Sequence, residues 1–283
     1  MTRRFRRGLT VATVSLAAVA LSACSAGGSA GNSGGGSGSS DYVTDGKFTV
    51  ATSEPAYYPW VIDNDPSSGE GFEAAVAYAV ADELGFEKDD VVWVRTTFDE
   101  AIAPGPKAFD VNVQQFSITD ERKQQVDFSS PYYETSQVVI TTGTSKAADA
   151  ASIADLQDVL VGAQTGTTSF VAAESVIAPS RGVQAFNSND DAKAALESGQ
   201  IDALVVDLPT AFFITGAELD DGKIVGQLPP SSERGDELGL VLAKDSPLTA
   251  QVTDAVDALR EDGTLDELAA TWLGSDDTAP LLK

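Results

Sequence analysis

The chain has 283 residues, a formal net charge of −25, no histidine and a single cysteine. Such acidity excludes the basic footprint that neutralises nucleic-acid phosphates, and one cysteine excludes an internal disulfide. Without histidine and without a second thiol, the common nucleophile–histidine catalytic pairs are also excluded.

In chain order, Arg3, Arg4, Arg6 and Arg7 precede an apolar run from Leu9 to Ala20. The run is too short and too alanine-rich to span a bilayer, so residues 1–23 read as a signal peptide. It ends in Leu21-Ser22-Ala23-Cys24, which resembles the bacterial lipobox, whose cysteine is acylated and heads the mature protein. The plainer alternative is a free cysteine beside an ordinary cleavage site. The paired arginines leave both Sec and twin-arginine export open. Residues 25–40 contain only Ser, Ala, Gly and Asn, so 24–40 reads as a lipidated cysteine on a flexible tether with no apolar surface to bury. One acyl chain alone anchors weakly, so stable attachment implies more than one.

The remainder is long enough for two lobes with separate cores. Phe48 to Ser53 predicts a buried strand. From Phe72, apolar residues recur at Ala75, Val76, Ala79, Val80 and Leu84 on one helical face, and Gly85 suits a C-terminal cap. Val91–Val94, Phe109–Val113 and Gln137–Thr142 predict further strands. A second series follows: a strand at Val159–Ala163, a helix from about Phe170 capped by Thr168 or Ser169, a helix capped by Ser188 or Asn189, and a strand at Ala203–Val206. Leu240–Ala243 is strand-like and two helices close the chain. The alternation predicts an α/β protein with largely parallel sheets. Ligands of open α/β sheets lie beyond the carboxyl ends of the strands, here the loops after Ser53, Gln115, Gln164 and Val206.

At one of those loops stands Gln114-Gln115-Phe116-Ser117-Ile118-Thr119-Asp120-Glu121-Arg122. Arg122 is either one more solvated charge or a bidentate partner for a carboxylate. The stretch Ser117 to Tyr133 resembles the signature of the solute-binding protein family 3, the polar amino acid receptors of bacterial ABC importers. Further matches lie in order: Ala56-Tyr57-Tyr58-Pro59-Trp60, Gly71-Phe72-Glu73, Gly166-Thr167-Thr168, Ala203-Leu204-Val205-Val206-Asp207, and Asp262-Gly263-Thr264 through Trp272-Leu273-Gly274.

The resemblance implies a two-lobe, type II periplasmic-binding-protein-like fold with the ligand cleft between the lobes. Lobe I would comprise 41–135 and 233–283 and lobe II 136–232, with crossings near Ser136 and Ser232. It implies a monomeric lipoprotein on the extracytoplasmic face of the membrane that passes an amino acid to an importer permease. Position by position, Arg122 and Thr168 would hold the ligand carboxylate, and Asp207, with Ser117 and the Gln115 carbonyl, the ammonium. Thr168 and Asp207 read equally as helix caps. Glu54 is either a solvated loop acid or an acid facing the ligand side chain; Tyr57 and Phe98 would wall the pocket, and Gln164 stands where residues vary with ligand. Trp60 and Phe72 read as core. Gln114 and Gln115 replace small residues frequent in the family. With Glu54 and Gln164 they suggest a polar or basic amino acid. No cofactor or metal is implied, because the acidic pairs lack the spaced ligands of a calcium loop. The rival readings are a cyclohexadienyl dehydratase-like enzyme on the same fold, a sensor module, and a structural surface lipoprotein.

Overall fold

The structure, a computed structural model, describes residues 41–230, 235–274 and 279–283. The expected signal peptide, Cys24 and the linker lie outside the described residues, as does Ser232 near the expected return crossing. Among the described residues no helix is long and apolar enough to cross a membrane.

Apolar and β-branched runs form the strands: β1 (Phe48–Thr52), β2 (Val91–Arg95), β3 (Val111–Asn112), β4 (Val126–Thr135), β5 (Gln137–Thr142), β6 (Val161–Gln164), β7 (Gln184–Phe186), β8 (Ala203–Asp207), β9 (Gly222–Gln227) and β10 (Asp236–Ala243). The helices are α1 (Phe72–Glu83), α2 (Phe98–Ile102), α3 (Ile153–Leu156), α4 (Thr168–Ala172), α5 (Asn189–Glu197), α6 (Leu208–Phe213), α7 (Thr249–Glu261) and α8 (Thr264–Trp272). The strands build two five-stranded sheets, in the orders β2-β1-β3-β10-β4 and β7-β6-β8-β5-β9.

Both sheets are mixed, where largely parallel ones are expected from the sequence. In the first, β1 pairs in parallel with β2 and β3, while β10 runs antiparallel to β3 and β4. In the second, β6 pairs in parallel with β7 and β8, while β5 runs antiparallel to β8 and β9. The antiparallel pairs all involve strands that carry the chain between sheets, β4 into β5 and β9 into β10. Such a strand has no crossover helix to return it to its own sheet in parallel.

Each sheet has its own core. Phe48, Trp60, Phe72, Val76, Val80, Leu240 and Val256 pack around the first, each fully buried. Burying a side chain such as Phe72 is worth roughly 2–3 kcal/mol. Val139, Leu156, Val161 and Val205 fill one face of the second sheet, and Val138, Ile140, Leu204 and Val206 the other. That inward and outward alternation along β5 and β8 is what a strand covered on both faces requires.

The tail, expected with the first lobe, does not stay there. α8 packs by Leu265, Leu268 and Trp272 against the first core, yet Leu282 is buried in the second. Gln227 N–H donates to the Pro280 carbonyl (2.8 Å) and Leu282 N–H to the Gln227 carbonyl (2.9 Å). A Cβ at Gly226 would lie 2.5 Å from the Pro280 carbonyl oxygen, so glycine is required for this approach.

Candidate functional site

The carboxyl ends of the parallel strands in both sheets converge on one cavity of about 160 Å³. Its wall is made by Ser53–Pro55 and Tyr57 beyond β1, Thr96–Phe98 beyond β2, Gln114, Gln115 and Ser117 beyond β3, Gln164 and Thr167–Ser169 around the end of β6, Asn187–Asn189 beyond β7, and Asp207 ending β8. The sequence-expected residues Glu54, Tyr57, Phe98, Gln115, Ser117, Arg122, Gln164, Thr168 and Asp207 all line it. The loop after β7, with Asn187, was not anticipated.

Arg122 opens a short 3₁₀ turn, and its side chain is 8 % exposed. It donates from Nη1 to the Ser117 carbonyl (2.7 Å) and from Nη2 to the Gly166 carbonyl (2.9 Å), one beside each sheet. The guanidinium lies 5.3 Å from the Phe98 ring centroid, and that ring packs at a tilt of 33° against Phe116, centroids 4.5 Å apart. Phe98 therefore orients the cation as well as walling the cavity. Burial weakens the guanidinium's hold on its proton, while Asp236, Asp207 and Glu121 oppose the shift. Two of its donors are committed to backbone, which fixes the plane of those left for a ligand.

Thr168 sits at the first turn of α4. The cap is its neighbour: Thr167 Oγ1 accepts from Phe170 N–H (3.1 Å), where Thr168 or Ser169 was expected. The Thr168 hydroxyl is thereby left to face Ser117 Oγ at 3.0 Å, across the gap between the sheets. Other bridges join the two sides. Trp60 Nε1 donates to Thr210 Oγ1 (3.1 Å), Tyr57 OH donates to Asp190 (3.4 Å), and the Tyr58 ring packs tilted against Phe213 (centroids 4.5 Å apart).

Asp207 precedes α6 without using its side chain as a cap. Its carboxylate instead accepts from Gln137 Nε2 at 2.8 Å, and the same nitrogen donates to Asp236 Oδ2 at 2.7 Å. Burial, reinforced by the Asp236 charge, pushes the Asp207 carboxyl up to about 7, against the pull of Gln137 and Arg122.

A second buried acid backs the wall. Glu73, in the first turn of α1, is fully buried. It accepts from Gln115 N–H (2.7 Å), from the Gln115 carboxamide and from Tyr132 OH (2.5 Å). Burial raises its carboxyl to about 7, and these bonds pull the other way. Gln115 has φ +51°, a conformation unusual for a side-chain-bearing residue, and Glu73 holds it there. The Gln115 carboxamide is thus committed to the wall. Gln114 differs: it is 6 % exposed, and its side-chain carbonyl has no hydrogen-bond partner among the described residues.

Glu54 stands at the rim, ion-paired to Arg95 Nε (3.3 Å) and accepting from Asn64 Nδ2 (2.7 Å). Sequence reasoning missed Glu73, Gln137, Arg95 and Asp236. Of these only Glu73 had a local signal, as an acid beside Phe72 in an apolar first turn of the helix.

The assembled site thus presents a fixed cation, a threonine hydroxyl and a buried acid on one small cavity that polar side chains share with Pro55, Tyr57 and Phe98. Comparison with known proteins identifies the family. The sequence matches the bacterial extracellular solute-binding proteins, family 3, over residues 49–275. It is 30% identical over 231 residues to the L-arginine-binding protein of Pseudomonas aeruginosa, covering 79% of this chain and 86% of that protein. It is 31% identical over 233 residues to the L-cystine-binding protein TcyJ of Escherichia coli, covering 80% and 82%. A solved ancestral arginine-binding protein bound to glutamine superposes with a TM-score of 0.68 at 30% identity, covering 82% of this chain and 100% of that one. With its two mixed sheets and the cavity where their strand ends meet, the chain belongs to the bacterial extracellular solute-binding proteins of family 3.

Proposed function

We propose that the protein captures an amino acid with a polar or basic side chain between two lobes, 41–135 with 233–274 and 136–232 with the 279–283 tail, and delivers it to the permease of an ABC importer. In this reading it works as a monomer, exported by its signal peptide and anchored through acylated Cys24 on the outer face of the membrane. The observation that carries the reading is that Arg122 and Asp207, of opposite charge, line one cavity that both lobes build. Arg122 and Thr168 take the α-carboxylate, and Asp207 with Ser117 takes the α-ammonium. A charge-assisted bond of this kind is worth roughly 1.5–3 kcal/mol.

The test is a thermal-shift screen over the amino acids, polyamines and opines. A ligand at 100 times its Kd stabilises by about 2.7 kcal/mol, which raises the Tm of a protein this size by roughly 5–10 °C. Arg122→Ala should abolish the shift. A full shift in that variant removes Arg122 from the site, and silence across the whole screen removes the amino acid reading.

A further inference from the structure

We infer that Arg95 is a specificity-determining residue: by occupying Glu54, it turns the cavity away from cationic side chains and toward an uncharged amide. The inference rests on the amino acid-binding reading above and narrows it.

Arg95 ends β2 behind the cavity wall. Its guanidinium donates to the Ser53 carbonyl (2.5 Å), the Asn64 side-chain oxygen (2.9 Å) and the Asn64 carbonyl (2.7 Å), besides the 3.3 Å ion pair with Glu54. Three of these contacts do not involve Glu54, so the cation stays in place however Glu54 moves. Asn64 completes the cradle. Its Nδ2 donates to Glu54 (2.7 Å) and its Oδ1 accepts from Ala56 N–H (2.8 Å).

A carboxylate at a cavity rim attracts a ligand ammonium or guanidinium only while its charge is uncompensated. Here the compensating cation belongs to the protein, and a ligand cation would have to sit beside it. Glu54 is 58 % exposed at its side chain, so solvent screens whatever attraction it retains for a second cation. An amide meets no such repulsion. Its N–H groups can donate to Glu54 or to the partnerless Gln114 carbonyl, and its own carbonyl can accept from the Gln164 carboxamide, all of which line the cavity.

Calorimetry of L-glutamine and L-arginine binding to the purified protein and to Arg95→Ala tests this. The parent should bind glutamine at least tenfold more tightly than arginine, and in Arg95→Ala the glutamine-to-arginine affinity ratio should fall at least tenfold, about 1.4 kcal/mol. Arg95→Met, which keeps the aliphatic stem without the charge, serves if the alanine variant melts below the parent. A parent that prefers arginine, a ratio unmoved by the substitution, or a response to other amino acids with none to glutamine overturns the inference alone. No binding of any amino acid by either protein overturns the binding reading itself.

Discussion

Lowering the pH from 7 to 5 should weaken ligand binding about 50-fold, and Asp207 is the reason. Its carboxyl, raised to about 7, is largely protonated by pH 5, and only the ionised form can balance a ligand ammonium. About half of it is ionised at pH 7 and about one part in a hundred at pH 5, so the two units cost about 2.3 kcal/mol. Binding should also release protons, about half of one at pH 7 and close to one at pH 5, because the ammonium favours the charged carboxylate. Calorimetry in buffers of different ionisation enthalpy reads both quantities. Asp207→Asn should bind weakly but with a nearly flat profile. Glu73 titrates in the same range behind the wall, so Glu73→Gln should keep the slope. An affinity that is level between pH 5 and 7, or an Asp207→Asn variant with the parent's slope, would refute the assignment of Asp207 to the ammonium.

Two further outcomes concern the groups that hold the site in shape. Glu73 keeps its proton more tightly in the folded protein than in the unfolded chain, so its contribution favours folding below about pH 4.5 and is lost as the pH rises to about 7. That loss amounts to roughly 3 kcal/mol, and urea titrations at pH 5 and 8 should show Glu73→Gln removing this part of the slope. Gln137→Leu deletes the shared donor between Asp207 and Asp236. It should cost about 3 kcal/mol at pH 8 and less at pH 5, where Asp207 is protonated, as measured by the same titrations.

Local pattern carried much of the fold. The apolar runs of β1, β5, β6 and β8 and the 3.6-residue spacing of α1 are readable because each reflects one face meeting one core. The direction of the pairings was not, since whether a strand returns to its own sheet or leaves for the other is decided far along the chain. Arg122, Thr168 and Asp207 were legible as candidates because each stands in a motif of several residues at the end of a strand. Gln137 was not: nothing around it marks the first residue of β5 as the donor shared by Asp207 and by Asp236, which lies 99 positions downstream. Arg95 was missed for the same reason, since its contacts reach back 31 and 42 positions to Asn64 and Ser53. Glu54 was readable as an acid near the cavity, but its ion pair required knowing that β2 lies beside β1.

The chain passes from one sheet to the other at Ser136, returns before Asp236, and goes over once more between Gly274 and Ala279. Three passages are an odd number, so Tyr42 rests on the first core while Leu282 is buried in the second. The first and last described residues are therefore held by different cores, and a label at each would report on a different sheet.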